Sequence, residues 1–316
     1  MRAFPILFAA CLAAGPLPAQ GLSPEDVLGR AIRARADSAL AVLGISAVPS
    51  ETASSLVFDT GPGSKSGNDF SAAQLGGGFT FSGSFPLYLE GYVGYNRYDP
   101  VFVLSDGTDQ QVVPAKWTSL AATGGIGWDF SLTEHLALRP VLHLTLGTVI
   151  SDTAFISDFV ADAIGVEGEF LKSGSLTAGG IGGSVSLVYN RRWANDVEAD
   201  LILRHTHIHL EPIAGDKDVS GSAEAITTAL WTRLRLPTGY DAFGGPVRGV
   251  TEFSASWLPG DQGEILNTEW LAQVGFGYEI DITETWVPYV TTTRLMFRYA
   301  KGEYLNGYSI GLAASF

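Results

Sequence analysis

Tyr304-Leu305-Asn306-Gly307-Tyr308-Ser309-Ile310-Gly311-Leu312-Ala313-Ala314-Ser315-Phe316 ends the chain, and its reading decides the fold. Side chains alternate between the two faces of an extended strand, so Tyr308, Ile310, Leu312, Ala314 and Phe316 share one face. Leu305, Gly307, Ser309, Gly311, Ala313 and Ser315 form the other, which is small and mostly polar. Such a strand borders an apolar medium on one side and a polar space on the other.

Working back from this end, the same period of two recurs in eleven more stretches. They fall near 54–59, 69–81, 86–98, 116–130, 135–150, 174–190, 196–210, 220–236, 246–257, 267–281 and 284–299. In 135–150, Leu136, Leu138, Leu142, Leu144 and Leu146 oppose Arg139, His143 and Thr145. In 267–281, Trp270, Val274, Phe276, Tyr278 and Ile280 oppose Gln273, Gly275, Gly277 and Glu279. In 284–299, Val287, Tyr289, Leu295, Phe297 and Tyr299 oppose Arg294 and Arg298. A soluble two-sheet sandwich also alternates, so length and connection have to discriminate. Soluble strands average about five or six residues. Most of these are far longer, and about nine to eleven suffice to cross a bilayer at a tilt. Through the first half, short and long connections alternate, as they do between periplasmic turns and external loops. The short ones carry Ser82-Gly83-Ser84-Phe85 and Asn190-Arg191-Arg192 with Asn195-Asp196, residues suited to tight turns. The expected fold is therefore all-β, a twelve-stranded antiparallel transmembrane β-barrel over residues 51–316.

Composition agrees. The 316 residues carry a formal net charge of −14, yet only 16% are charged and 46% are hydrophobic, with a mean hydropathy of +0.18. Soluble domains carry about 25% charged residues. No run after the first twenty residues is long and apolar enough for a helical span. Positive hydropathy without an apolar run is what strands with one lipid-facing side produce. The acidic balance excludes nucleic acid as an expected partner. Arg2, the apolar stretch Phe4 to Ala14 and Pro16-Leu17-Pro18-Ala19 read as an export signal over residues 1–19, cut before Gln20. Cys11, the only cysteine, lies inside it, which removes disulfides, thiolate metal sites and a cysteine nucleophile from the exported part.

Residues 20–50 hold one helix, expected from Pro24 to Leu43. Ser23 can cap it, Pro24 suits its first position, and Glu25 and Asp26 complement its N-terminal dipole. Gly44 is a natural stop. About twenty residues at 1.5 Å each give roughly 30 Å, the height of a membrane barrel. Arg30, Arg33 and Arg35 forbid a lipid environment but suit a polar lumen. Luminal acids, Asp129, Asp200 or Glu279, are expected to meet these arginines.

From the helix onward, residues 23–316 resemble the autotransporter β-domain family, in which a helix precedes a twelve-stranded barrel ending in Phe. Ala115-Lys116-Trp117-Thr118-Ser119-Leu120, Gly125-Ile126-Gly127-Trp128-Asp129-Phe130 and Leu138-Arg139-Pro140 are similar to the solitary members, which lack a passenger. The resemblance implies a helix seated in the pore and an outer membrane of Gram-negative type. It also implies that Tyr308, Ile310, Leu312 and Phe316 form the signal read by the barrel assembly machinery. Lipid and that machinery are the expected partners, for a monomer with no cofactor. The stretch before the first strand is too short for a passenger, so a structural or limited transport role is expected rather than secretion. A small-solute channel and an outer-membrane hydrolase are the alternatives.

Chemistry-bearing residues favour no enzyme. His205, His207 and His209 recur at alternate positions and so share a strand face, about 7 Å apart. A closed metal site needs more convergent ligands, and a rim placement accounts for them. A hydrolase needs a nucleophile or base near a histidine, and no local pattern selects one. Arg139, Arg204, Arg233, Arg235, Arg294 and Arg298 are expected to pair inside with Glu90, Asp129, Glu198, Asp200 and Glu279 as stiffening ion pairs. Gly76-Gly77-Gly78, Gly124-Gly125 and Gly179-Gly180-Ile181-Gly182-Gly183 lie within strands, so they mark close packing to a lumen element rather than phosphate loops.

Overall fold

The computed structural model describes residues 24–52, 69–99, 101–105, 110–114, 116–151, 175–214, 221–283, 290–303 and 306–315, with backbone only for 24–35, 69, 99, 101–105, 110–114 and 151. The export signal, the expected strand at 54–59 and Phe316 lie outside these residues. In chain order the elements are α1 (Pro24–Ala47), β1 (Asp69–Thr80), β2 (Leu87–Asp99), β3 (Val101–Ser105), β4 (Gln110–Pro114), β5 (Trp117–Trp128), β6 (Phe130–Ser131) and β7 (Leu136–Ser151). There follow β8 (Ser175–Arg192), β9 (Glu198–Ala214), β10 (Ala223–Ala242), β11 (Gly245–Trp257), α2 (Asp261–Leu266), β12 (Trp270–Asp281), β13 (Thr292–Gly302) and β14 (Asn306–Ser315).

One antiparallel sheet runs β1-β2-β5-β7-β8-β9-β10-β11-β12-β13-β14, every member beside its neighbour in sequence once β3, β4 and β6 are set aside. Its two ends, β1 and β14, are not paired with each other among the described residues. The sheet is curled. A single buried apolar cluster joins α1 to Phe70 of β1, Ala121 of β5, Ile208 of β9, Ala225 of β10 and Ala300 of β13. A flat sheet of this width cannot bring strands as far apart as β1 and β10 to one helix, so the sheet curls around α1.

The two faces differ as the sequence period requires. Outward lie Leu75, Val93, Leu120, Leu142, Leu144, Leu146, Ile181, Val274, Phe276, Tyr308, Ile310 and Leu312, all exposed. Inward lie Gln74, Glu90, Asn96, Thr123, His143, Thr145, Arg204, Glu252, Glu279 and Arg298, all buried. An apolar outside around a polar inside is the reverse of a soluble sheet. Only lipid makes it stable, because exposing that much contiguous apolar surface to water is unfavourable. The chain is an integral β-barrel membrane protein in architecture.

Several boundaries depart from the sequence reading. Residues 116–130 form two strands, since Asp129 breaks the ladder and its amide donates to Pro86 O at 2.9 Å. β10 and β11 are joined by Phe243 and Gly244 alone, both at positive φ (54° and 88°). That is the two-residue hairpin geometry that follows the twist of the strands; the expected loop at 237–245 is strand on both sides. β13 begins at Thr292, where an earlier start was expected. Its predecessor turns at Asp281, whose carboxylate accepts from the amide and hydroxyl of Thr283 at 2.9 and 2.7 Å. The long connection after β2 contains the β3–β4 hairpin, which alternation alone did not reveal.

Candidate functional site: the occupied lumen

The helix runs on past Gly44 to Ala47. Gly44 is no stop, because it faces the wall. A Cβ there would lie 3.1 Å from Ala225 Cβ. Ala36 and Asp37 sit at the end of the sheet that bears the long connections, where Asp37 accepts from the Ser222 amide at 3.0 Å. Ala47 to Glu51 reach the middle of the lumen. The chain therefore enters α1 from the long-connection end and runs inward.

Three layers hold it. The first is apolar: Leu40 and Leu43, both 0% exposed, fill a collar made by Ala121, Val149, Leu176, Ala178, Ile208, Leu210, Ala223 and Ala225. The wall makes room with glycine, since a Cβ at Gly147 would lie 2.6 Å from Leu43 Cδ1.

The second layer bonds the carbonyls at and just around the helix's C-terminus, among them Ala47 O, which the helix itself leaves unpaired. Asn96 Nδ2 donates to Val42 O at 2.8 Å and to Ser46 Oγ at 2.7 Å. Thr123 Oγ1 donates to Ala47 O at 2.7 Å, and Gln74 Nε2 to Val48 O at 2.8 Å. Gln74 also accepts the Ser50 amide at 3.0 Å. Strand side chains thus act as the cap, and no helical residue supplies one. Gly94 lets the wall approach this point, because a Cβ there would lie 2.1 Å from Ser46 O.

The third layer is charged. Arg204, buried on β9, donates through Nη1 to Glu51 at 3.0 Å and through Nη2 to Glu90. Glu90 also accepts from Tyr88 at 3.0 Å and bonds His143 Nε2 at 2.6 Å. An unpaired charge in such a place costs several kcal/mol by the usual order of magnitude, so the pairing fixes Glu51 to the wall.

Toward the short-turn end the lumen carries ion pairs between strands. Arg139 meets Asp129 at 2.5 Å, Arg233 meets Asp200 at 2.9 Å, and Arg298 meets Glu252 at 2.7 Å. Glu279 collects Arg235, Arg248 and Arg294. The six arginines assigned inward from the sequence therefore point inward, while Glu252, Arg248 and Glu51 were missed. Asp129, Asp200 and Glu279 are bonded to strand arginines. The side chains of Arg30, Arg33 and Arg35 lie outside the described residues, so the described half of the helix is held by the collar, the carbonyl caps and Glu51. The glycine clusters mostly serve wall side chains. A Cβ at Gly78 would meet Tyr88 Oη at 2.1 Å, one at Gly125 would meet Glu90 and His143 at 2.8 Å, and Gly77 and Gly124 face open space.

At the long-connection mouth, β11 leaves the sheet while β10 continues, and α2 covers the exposed edge. Asp261 and Gln262 accept the amides of Glu224 and Ile226, each at 2.7 Å. Tyr98 from β2 donates to Ile265 O at 3.1 Å, which ties α2 to a distant strand. Outside, His205 pairs across to Thr228, which in turn faces Trp257. His207 and His209 lie beyond that aromatic level and share Glu224 at 2.5 and 2.6 Å. The three histidines thus face outward at the rim. Among the described residues no three His, Cys, Asp or Glu are placed to hold one metal ion.

No protein-family model matches the sequence, and no curated protein does. Among solved structures, the chain is similar to the β-domain of the Bordetella autotransporter BrkA (15% identity, 79% of this chain and 92% of that one, TM-score 0.43). It is also similar to the translocator domain of the autotransporter NalP from Neisseria meningitidis (11% identity, 92% and 95%, TM-score 0.40). LpxR from Salmonella typhimurium is a third (11% identity, 78% and 88%, TM-score 0.39). These are likenesses of architecture, and the functional argument rests on the lumen itself.

Proposed function

We propose that the chain is an outer-membrane barrel of the autotransporter type whose lumen is kept closed by its own N-terminal helix, so that its role is structural and any transport limited. The observation that carries this reading is the fully buried pair Leu40 and Leu43 in an apolar collar. A solute path would expose that collar to water, and each leucine contributes on the order of 2–5 kcal/mol against truncation. The C-terminal carbonyl caps and the Glu51–Arg204 pair support the same reading, because they hold the chain after the helix against the wall. Planar-bilayer recording tests it. The full chain should give little or no steady conductance, and replacing Leu40 and Leu43 together with Asn should produce channel openings. A stable open conductance in the full chain would favour the small-solute channel instead.

A further inference from the structure

On the outward face, a groove runs across β8 to β12 between two neighbouring rows of side chains. One row is Tyr189, Leu201, Thr232, Phe253 and Val274, consecutive partners from β8 to β12. The next row, paired in the same way, is Ala199, Leu234, Thr251 and Phe276. Between them passes the lumen-facing row that carries the Arg233–Asp200 pair and Glu252, so only its backbone floors the groove. The small residues Ala199, Thr232 and Thr251 keep the groove open, and Thr232 Oγ1 donates to Phe253 O at 3.3 Å, which satisfies the hydroxyl away from water. Two residues along a strand separate the rows by about 7 Å, and four strand spacings give the groove a length of roughly 19 Å.

The two ends of the groove differ. At the short-turn end of β8, Arg191 is the partner of Ala199 and so heads the second row. It is exposed, and its guanidinium lies 5.3 Å from the centre of the Trp193 ring. The neighbouring Arg192 pairs with Asp196 and Glu198, whereas among the described residues no carboxylate pairs with Arg191. The other end is Phe276, in the middle of β12 and well inside the apolar band. The groove therefore climbs from the short-turn rim toward mid-bilayer, the path of a lipid chain in that leaflet. One leaflet is about 15 Å of hydrocarbon deep, so a slanted groove of this length takes most of a chain.

We propose that this groove binds a phospholipid of the short-turn leaflet, with its phosphate on Arg191 and one acyl chain laid between the two rows. A guanidinium presents paired donors to phosphate oxygens, and Trp193 marks the headgroup level, where amphipathic rings collect. Charge complementarity selects the ligand, because a neutral lipid would fill the groove and leave Arg191 without its anion.

Native mass spectrometry of the full chain in detergent micelles, titrated with phosphatidylglycerol, provides the test. One saturable adduct per chain is expected, with diacylglycerol at least tenfold weaker and inorganic phosphate giving no adduct at the same concentration. Arg191→Gln should weaken phosphatidylglycerol at least tenfold, to the level of diacylglycerol. Thr251→Trp keeps the arginine but fills the groove at mid-length, so it should abolish the saturable adduct. Both positions face lipid rather than the lumen, and heat-modifiable mobility checks that each variant is folded. Adducts that accumulate without saturating overturn the proposal and mean that lipid merely coats the barrel. Equal affinity for phosphatidylglycerol and diacylglycerol, or for inorganic phosphate, or binding indifferent to either variant, overturns it as well.

Discussion

Gly94 and Asn96, two positions apart on β2, do opposite things to the same helix end. Gly94 has no side chain because Ser46 O occupies the place, and Asn96 ties the last turn to the wall through an amide that donates to Val42 O and Ser46 Oγ. Gly94→Val should push the helix end off the wall without touching the outward face. We expect a folded, heat-modifiable barrel in which protease added at the long-connection side cuts within residues 36–52 at least tenfold faster; equal cutting rates would show that the close approach is not needed. Asp129 behaves differently, because it sits in the break between two strands. Burial raises its pKa, but hydrogen bonds from Arg139 and Thr80 outweigh that and hold the carboxyl below the usual carboxylate range. A depressed folded pKa contributes stability above the unfolded value of about 3.9 and loses it as pH falls through the folded value. Thermal unfolding followed from pH 6 down to pH 2 should therefore show a steeper loss in the native chain than in Asp129→Asn; parallel curves would remove the ion pair from the acid response. Asp129 was expected to pair with a luminal arginine, as it does with Arg139, but neither Gly94 nor Asn96 announced its role in the sequence. Asn96 lies between Tyr95 and Arg97 in a stretch whose period shows that it faces inward, but not what it meets there.

Among elements, β14 shows how much alternation can tell. Tyr308, Ile310 and Leu312 face outward at 75%, 55% and 61% exposure, as the period of two assigned them, and the same rule placed Leu144 and Phe276. Arg at Leu144 or Phe276 should cost about 2–4 kcal/mol near the bilayer midplane, measured by urea unfolding in lipid vesicles. A change below about 0.5 kcal/mol at both sites would mean that these positions do not contact hydrocarbon. For the terminal signal, Phe316→Ser should leave protein unassembled in the periplasm, and normal heat-modifiable assembly of that variant would contradict the assignment. The helix was legible from Ser23, Pro24 and its acidic first turn, but its end was not. Gly44 reads as a stop from local rules. It is instead a contact, because wall side chains supply partners for the carbonyls at the helix end, Thr123 for Ala47 O and Gln74 for Val48 O. The hairpin of β3 and β4 escaped for a related reason, since Val101-Phe102-Val103-Leu104 is an apolar run without alternation, and periodicity does not classify such a run.

For the whole molecule, alternation, connection length and composition were enough to indicate a lipid-facing β architecture, because those signals come from the two media the sheet separates. The lumen was less legible. Its acids and arginines were assigned to the correct face, but pairing depends on register between strands distant in sequence, such as Glu90 with Arg204. The apolar collar was hidden more thoroughly, because small inward residues such as Ala121, Ala178 and Ala225 look like filler until a helix lies against them. The central claim is that α1 occupies the lumen with Gly44 against Ala225, and a disulfide tests it directly. A Cβ at Gly44 would lie 3.1 Å from that of Ala225, near the separation of about 3.5–4.5 Å that a disulfide uses. With Cys11 replaced, Gly44→Cys and Ala225→Cys in one chain should oxidise in intact outer membranes to a single intrachain disulfide, seen as a mobility change reversed by reductant. Should both thiols remain free after oxidant and react with a membrane-impermeant maleimide, the helix would lie outside the lumen and the account would be wrong.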